Sequence, residues 1–98
     1  MILVRLHTRG AEVLVAACDE RLRGTTLREG DLRLHVSDFY DGDLLSEEEF
    51  VDRLRLATMG NFVGRETVAA AQRAGFVGED GVLWIGGEPH AQMVRMGG

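Results

Sequence analysis

Apolar and polar positions follow two different periods along this chain of 98 residues. Ile2, Val4 and Leu6 alternate with Leu3, Arg5 and His7, and Val13, Val15 and Ala17 alternate with Leu14, Ala16 and Cys18. A period of two belongs to a strand, whose successive side chains point to opposite faces. Thr8-Arg9-Gly10 between the two runs predicts a tight turn, so the first two strands form an antiparallel hairpin. Arg21 to Gly30 is polar with two glycines and predicts a loop, with room for one helical turn. Leu32, Leu34 and Val36 around Arg33 and His35 mark a third strand, and Asp41-Gly42 after Phe39-Tyr40 marks a turn.

From Ser46 the period becomes helical. Ser46 stands three residues before Glu49, the spacing of a capping box, in which each side chain bonds the other residue's backbone N–H. Glu47 and Glu48 fall in the first turn, where the helix dipole favours negative charge. Phe50, Val51, Leu54, Ala57 and Thr58 follow at helical spacing and predict a first helix from about Glu47 to Thr58.

Gly60 to Gly64 predicts a break, with Asn61-Phe62-Val63 able to prolong the first helix by a turn. A second helix runs from about Arg65 to Ala74, closed by Gly75 as a left-handed cap. Val68, Ala71 and Ala74 fall near one face of it, where small side chains let a helix lie close to a sheet. Phe76 and Val77 return to the core. Val82-Leu83-Trp84-Ile85 predicts a well-buried strand, Gly86-Gly87-Glu88-Pro89 a turn, and Ala91 to Met96 a last alternating strand. The elements in order predict one α+β domain over residues 1–98. Its largely antiparallel mixed sheet has about five strands, order βββααββ, with two helices packed on it.

Composition narrows the chemistry. An apolar content of 45% with 28% charged residues is that of a soluble globular domain. The longest apolar run, Val13 to Cys18, is far shorter than the roughly 20 residues that span a bilayer. Met1-Ile2-Leu3-Val4 meets Arg5 too early for the apolar core of a secretory signal. A single cysteine cannot form an internal disulfide and suits a reducing cytoplasm, so the expected location is cytoplasmic, with no membrane contact. All eleven basic residues are arginine, which removes lysine Schiff-base chemistry and the Walker-type phosphate loop. The net charge of −5 is concentrated in residues 37–60, where seven acids face only Arg53 and Arg55. A solvated helix face explains that segment; a docking patch for a basic partner is the sharper alternative.

Three groups of residues could carry chemistry. In Gly86-Gly87-Glu88-Pro89-His90-Ala91-Gln92, the glycines allow close backbone approach and His90 and Gln92 project to one side of a strand. A histidine there can act as acid, base or ligand, although in such turns it more often bonds its own backbone. Asn61, Gly64 and Arg65 at the start of the second helix offer backbone N–H donors and a fixed positive charge to an anion, in competition with simple capping by asparagine. Arg21, Arg23 and Arg28 form the densest basic cluster and could contact RNA phosphates, against an acidic whole chain with no interleaved aromatics. His7, His35, His90 and Cys18 lack zinc-type spacing, so no metal is expected, and no catalytic residue or cofactor is assigned.

The leading expectation is a small non-enzymatic binding or adaptor protein. It acts with an unidentified protein partner, within a translation- or RNA-associated assembly, and RNA contact of its own is weak. The alternative is a small enzyme or an anion- or small-ligand-binding protein using His90 and the start of the second helix. Val13-Leu14-Val15-Ala16-Ala17-Cys18-Asp19, Arg28-Glu29-Gly30-Asp31-Leu32, Phe39-Tyr40 with Gly42, Asn61-Phe62-Val63-Gly64 and the Ile85 to Gln92 stretch follow one another over nearly the whole chain. In these motifs the chain resembles an archaeal family of uncharacterised proteins, domain of unknown function 424. The resemblance implies a cytoplasmic archaeal protein of this length and brings no activity or assigned residues.

Overall fold

A computed structural model of the chain describes residues 1–95. The alternating runs form β1 (Ile2–Arg9) and β2 (Glu12–Asp19), a hairpin in full register from Ile2 opposite Asp19 to Arg9 opposite Glu12. After them come β3 (Thr26–Glu29), β4 (Leu32–His35), β5 (Asp43–Leu45), α1 (Glu47–Leu54), β6 (Met59–Val63), α2 (Arg65–Arg73), β7 (Val82–Ile85) and β8 (Glu88–Val94). Six strands make one sheet in the order β5-β1-β2-β6-β8-β7, and β3 and β4 form a separate hairpin. Every pairing is antiparallel except β2 with β6.

This is the expected small α+β domain with two helices and a mostly antiparallel mixed sheet, but the strand count and order differ. Thr26–Glu29 is a strand rather than loop, because it pairs with Leu32–His35 and turns Leu27 toward Leu34 in the interior. Asp43–Leu45 adds an edge strand on β1. The largest difference lies at 59–63, expected as a helix break or extension, which is a central strand between β2 and β8. Its two neighbours satisfy a backbone that five residues including glycine and asparagine could not organise alone. The first helix accordingly ends at Leu54, four residues earlier than its apolar spacing suggested.

Both faces of the sheet are covered, unequally. On one face α1 and α2 close the main core, in which the Phe50 and Phe62 rings meet edge to face at 5.7 Å. The capping box at Ser46 and Glu49 is formed, fixing where α1 starts. On α2 the buried residues are Thr67, Val68, Ala70 and Ala71, while Ala74 is exposed at the C-terminal cap. On the other face a second core gathers Leu3, Cys18, Val63 and Ile85 under Leu22, Leu27, Val36 and Tyr40. The hairpin supplying that cover reaches only one end of the sheet. The expected buried strand Val82–Ile85 is an edge strand: Ile85 is buried, Leu83 and Trp84 are exposed. The turn before β8 is Gly86-Gly87 alone, both at positive φ (58° and 80°), as a two-residue hairpin turn of this type requires.

Candidate functional site

Helix α2 begins at Gly64, which has no side chain to cap it and sits at φ 108°. The cap comes instead from Asp19 at the end of β2, which was not among the residues singled out in the sequence. One carboxylate oxygen accepts from the Thr67 N–H (2.8 Å) and the Thr67 hydroxyl (2.7 Å), the other from the Glu66 N–H (3.1 Å). Glycine is required here on steric grounds as well, since a Cβ at position 64 would lie 2.4 Å from the Asp19 carboxyl carbon. The signal in the sequence was indirect: a helix entrance with no capping side chain needs an acceptor from elsewhere.

Around this cap the charged groups hold one another. Arg21 makes a two-pronged pair with Glu88 (2.7 and 2.9 Å) and reaches Asp19 at 3.2 Å. The hydrogen bonds from Arg21 hold the Glu88 carboxyl below its ordinary range, outweighing partial burial. Arg65 donates to the Gly87 carbonyl at 3.2 Å, and the Gly64 N–H to the Pro89 carbonyl at 2.9 Å. The donors proposed for an anion are thus present at the entrance, and the chain's own Asp19 occupies the Glu66 and Thr67 amides.

Asn61, His90 and Gln92 come together on the other face of the sheet. Asn61 stands opposite Gln92 across β6 and β8, and His90 is opposite Val63. The Asn61 side-chain oxygen accepts from the Tyr40 hydroxyl at 2.6 Å and faces His90 Nε2 at 3.2 Å. An acceptor at that position puts the proton on Nε2 and leaves Nδ1 as the imidazole's free acceptor. Burial lowers the His90 pKa from 6.5 and pushes the Tyr40 phenol up to about 12, so both are neutral at pH 7. Cys18, on the same face, is fully buried. Burial first, then Asp19 and Asp41, push its thiol up to about 12, the reverse of what a nucleophile needs. Leu83, His90 and Gln92 border a shallow depression of about 260 Å³, and Arg65, Trp84 and Pro89 border another of about 220 Å³ on the helix face. The seven residues expected to form one ligand site are therefore divided between the two faces. Among the described residues no three His, Cys, Asp or Glu side chains are placed to hold a metal ion.

The basic and acidic clusters are also largely used internally. Arg21 is held as above and Arg23 pairs with Asp41 at 2.8 Å. Arg28 stands directly opposite Arg33, and the two share the outer face of the β3–β4 hairpin. In the acidic segment Glu47 pairs with Arg73, Asp43 with Arg53 and Asp52 with Arg55, while Glu49 closes the capping box.

What remains open is the end of the sheet that the hairpin does not reach. One cross-sheet row there runs His7, Leu14, Met59, Val94 over four adjacent strands. Met59 and Val94 are exposed, Leu14 is half-buried, and His7 stacks on the half-exposed Phe39 ring at 4.4 Å. Leu14, Met59 and His7 line a shallow hollow of about 460 Å³ flanked by Arg9 and Glu12. The row was invisible in the sequence because its members lie up to 87 positions apart and join only through the strand order. No helix among the described residues is long and apolar enough to cross a membrane.

No curated protein matches the chain. A crystal structure of an uncharacterized conserved protein from the archaeon Methanopyrus kandleri is similar to it, with a TM-score of 0.84 and 28% identity over 99% of this chain and 95% of that one. Residues 6–96 match the family described as "Protein of unknown function (DUF424)", and the chain belongs to that family.

Proposed function

We propose that the protein is a non-enzymatic binding module that holds a protein partner on the uncovered end of its sheet, within an RNA-containing assembly. The observation that carries this reading is the row His7, Leu14, Met59, Val94, half-buried at its first two members, exposed at its last two and stacked at one end by Phe39. Apolar side chains on three adjacent strands, exposed at Met59 and Val94 and half-buried at Leu14, favour burial against a partner, whereas scattered ones need no explanation. Arg5 and Arg9 lie on the same face of β1 as His7 and favour a partner with carboxylates around its apolar contact. RNA in the same assembly would meet the outer face of the hairpin. Arg28 and Arg33 are adjacent there, and among the described residues neither forms an ion pair, so an approaching phosphate relieves their repulsion. A catalytic or anion site at the α2 entrance is the less favoured reading, since the Asp19 carboxylate already takes its donors.

The test is affinity capture with three forms of the full chain from native extract: unchanged, Met59→Glu, and Leu56→Glu as a control. Leu56 is exposed outside this face. A protein captured in constant ratio by the unchanged and control forms, resistant to ribonuclease and lost with Met59→Glu, is the expected result. Equal capture by all three forms, or capture abolished by ribonuclease, overturns the proposal.

A further inference from the structure

The two edges of the main sheet are built differently. β5 is three residues long, opens with Asp43 and is tied down by the Arg53 pair. β7 is Val82-Leu83-Trp84-Ile85, with no charge, proline or bulge, and among the described residues it pairs only with β8. Its two central side chains are more than half-way into solvent or at it, Leu83 at 50% and Trp84 at 56%, on opposite faces of the strand. Soluble proteins guard edges with charges, prolines, bulges or shortness. Shortness is the one such device here, and four residues suffice for a pair of strands to exchange hydrogen bonds.

We propose that β7 pairs antiparallel with β7 of a second copy about a two-fold axis, joining two six-stranded sheets into one. A two-fold perpendicular to the sheet keeps the faces matched, so the axis must pass through a residue and not between two. Through Leu83, it sets Leu83 against its own counterpart on the hairpin face and Val82 against the partner's Trp84 on the helix face. The partner's Trp84 then lies beside the depression bordered by Val68, Val82 and Pro89, which Arg65 also lines. Aromatic against β-branched is a favourable cross-strand pair.

One charged contact favours the antiparallel arrangement. Glu79 and Asp80 precede β7, and at its other end Arg65 bonds the Gly87 carbonyl while the Glu29 carboxylate accepts from the Gly86 N–H. Antiparallel pairing in this register brings the partner's Glu79 opposite Gly87, the residue whose carbonyl Arg65 holds, and the partner's Asp80 opposite Gly86 beside Glu29, so the attraction lies at the Arg65 contact. A parallel or in-line arrangement would stack acid on acid. This interface is separate from the row proposed for the protein partner, which lies at the uncovered end of the central strands.

Sedimentation velocity of the purified full chain over a concentration series reads the assembly directly, and a concentration-dependent monomer–dimer equilibrium is expected. Leu83→Lys places two ammonium groups face to face at the axis and should raise the dissociation constant at least tenfold. Because Leu83 is exposed, the variant keeps its core, which near-ultraviolet circular dichroism checks. Under mild oxidation Leu83→Cys should form a dimer-linking disulfide, since directly opposed residues bring their Cβ atoms within bridging range. Trp84→Cys should not, and the buried Cys18 serves as the unreactive reference. A chain that stays monomeric throughout, or a dimer indifferent to Leu83→Lys, overturns the proposal. Crosslinking through position 84 in preference to 83 overturns the register.

Discussion

Replacing Asp19 by alanine takes the cap from α2 without touching the helix itself. The carboxylate accepts three bonds from the first turn of that helix, at 2.7, 2.8 and 3.1 Å. Loss of a helix cap costs about 1 kcal/mol. The Thr67 hydroxyl and N–H are buried, so water cannot replace the lost acceptor, and each stranded group adds about 1–3 kcal/mol. Arg21 is half exposed and keeps Glu88, so losing its contact with Asp19 adds little. The expected total is about 3–7 kcal/mol, a large part of the roughly 5–15 kcal/mol available to a domain. For a chain of this size that lowers the melting temperature by roughly 15 °C or more. Urea unfolding followed by circular dichroism should show a lower midpoint with an unchanged slope. Asp19→Asn should fall between, because its amide keeps one acceptor oxygen and turns an NH2 group toward another donor. Gly64→Ala supplies an internal check. Its Cβ would press on the Asp19 carboxyl, so it should cost less in the Asp19→Ala background than alone, the residue at φ 108° remaining strained in both. A cost for Asp19→Ala below about 1 kcal/mol, the range of an ordinary surface change, would refute the capping argument.

Three further outcomes concern the hairpin face and the entrance of α2. Burial keeps the folded His90 pKa below 6.5, so between the two values the unfolded chain binds a proton that the folded one does not. The associated stability is complete above pH 6.5 and is lost as pH falls through the folded value; His90→Gln should remove this component, and NMR titration of the ring should place its midpoint below 6.5. Phosphate should move neither that midpoint nor the Glu66 and Thr67 amides, because Asp19 holds them; a midpoint that rises on adding phosphate would reinstate an anion site there. Cys18, with its thiol pushed up to about 12, should resist a thiol reagent in native protein at pH 8 and react fully in denaturant; fast native labelling would contradict the buried environment.

Local patterns in the chain determined what local physics controls. Alternation over eight residues specified β1 and β2, because a half-buried strand must repeat every two residues. Ser46 and Glu49 specified the start of α1, because a capping box closes within one turn. Gly86-Gly87 specified the last hairpin through backbone angles open chiefly to glycine. Tertiary structure alone decided the rest. Met59–Val63 is a strand because β2 and β8 lie on either side of it to take up its backbone bonds. The apolar run at Val82–Ile85 looked like a core strand, but it takes the last position of the sheet, and among the described residues no further strand lies beyond it to cover Leu83 and Trp84. Asp19 looked like the polar end of a hydrophobic strand, and it became the cap of α2 only because parallel pairing of β2 with β6 ends both strands beside Gly64. Side chains at positions 7, 14, 59 and 94 form a surface for the same reason: a row across a sheet is set by strand order and register, and neither is written in any one stretch of sequence.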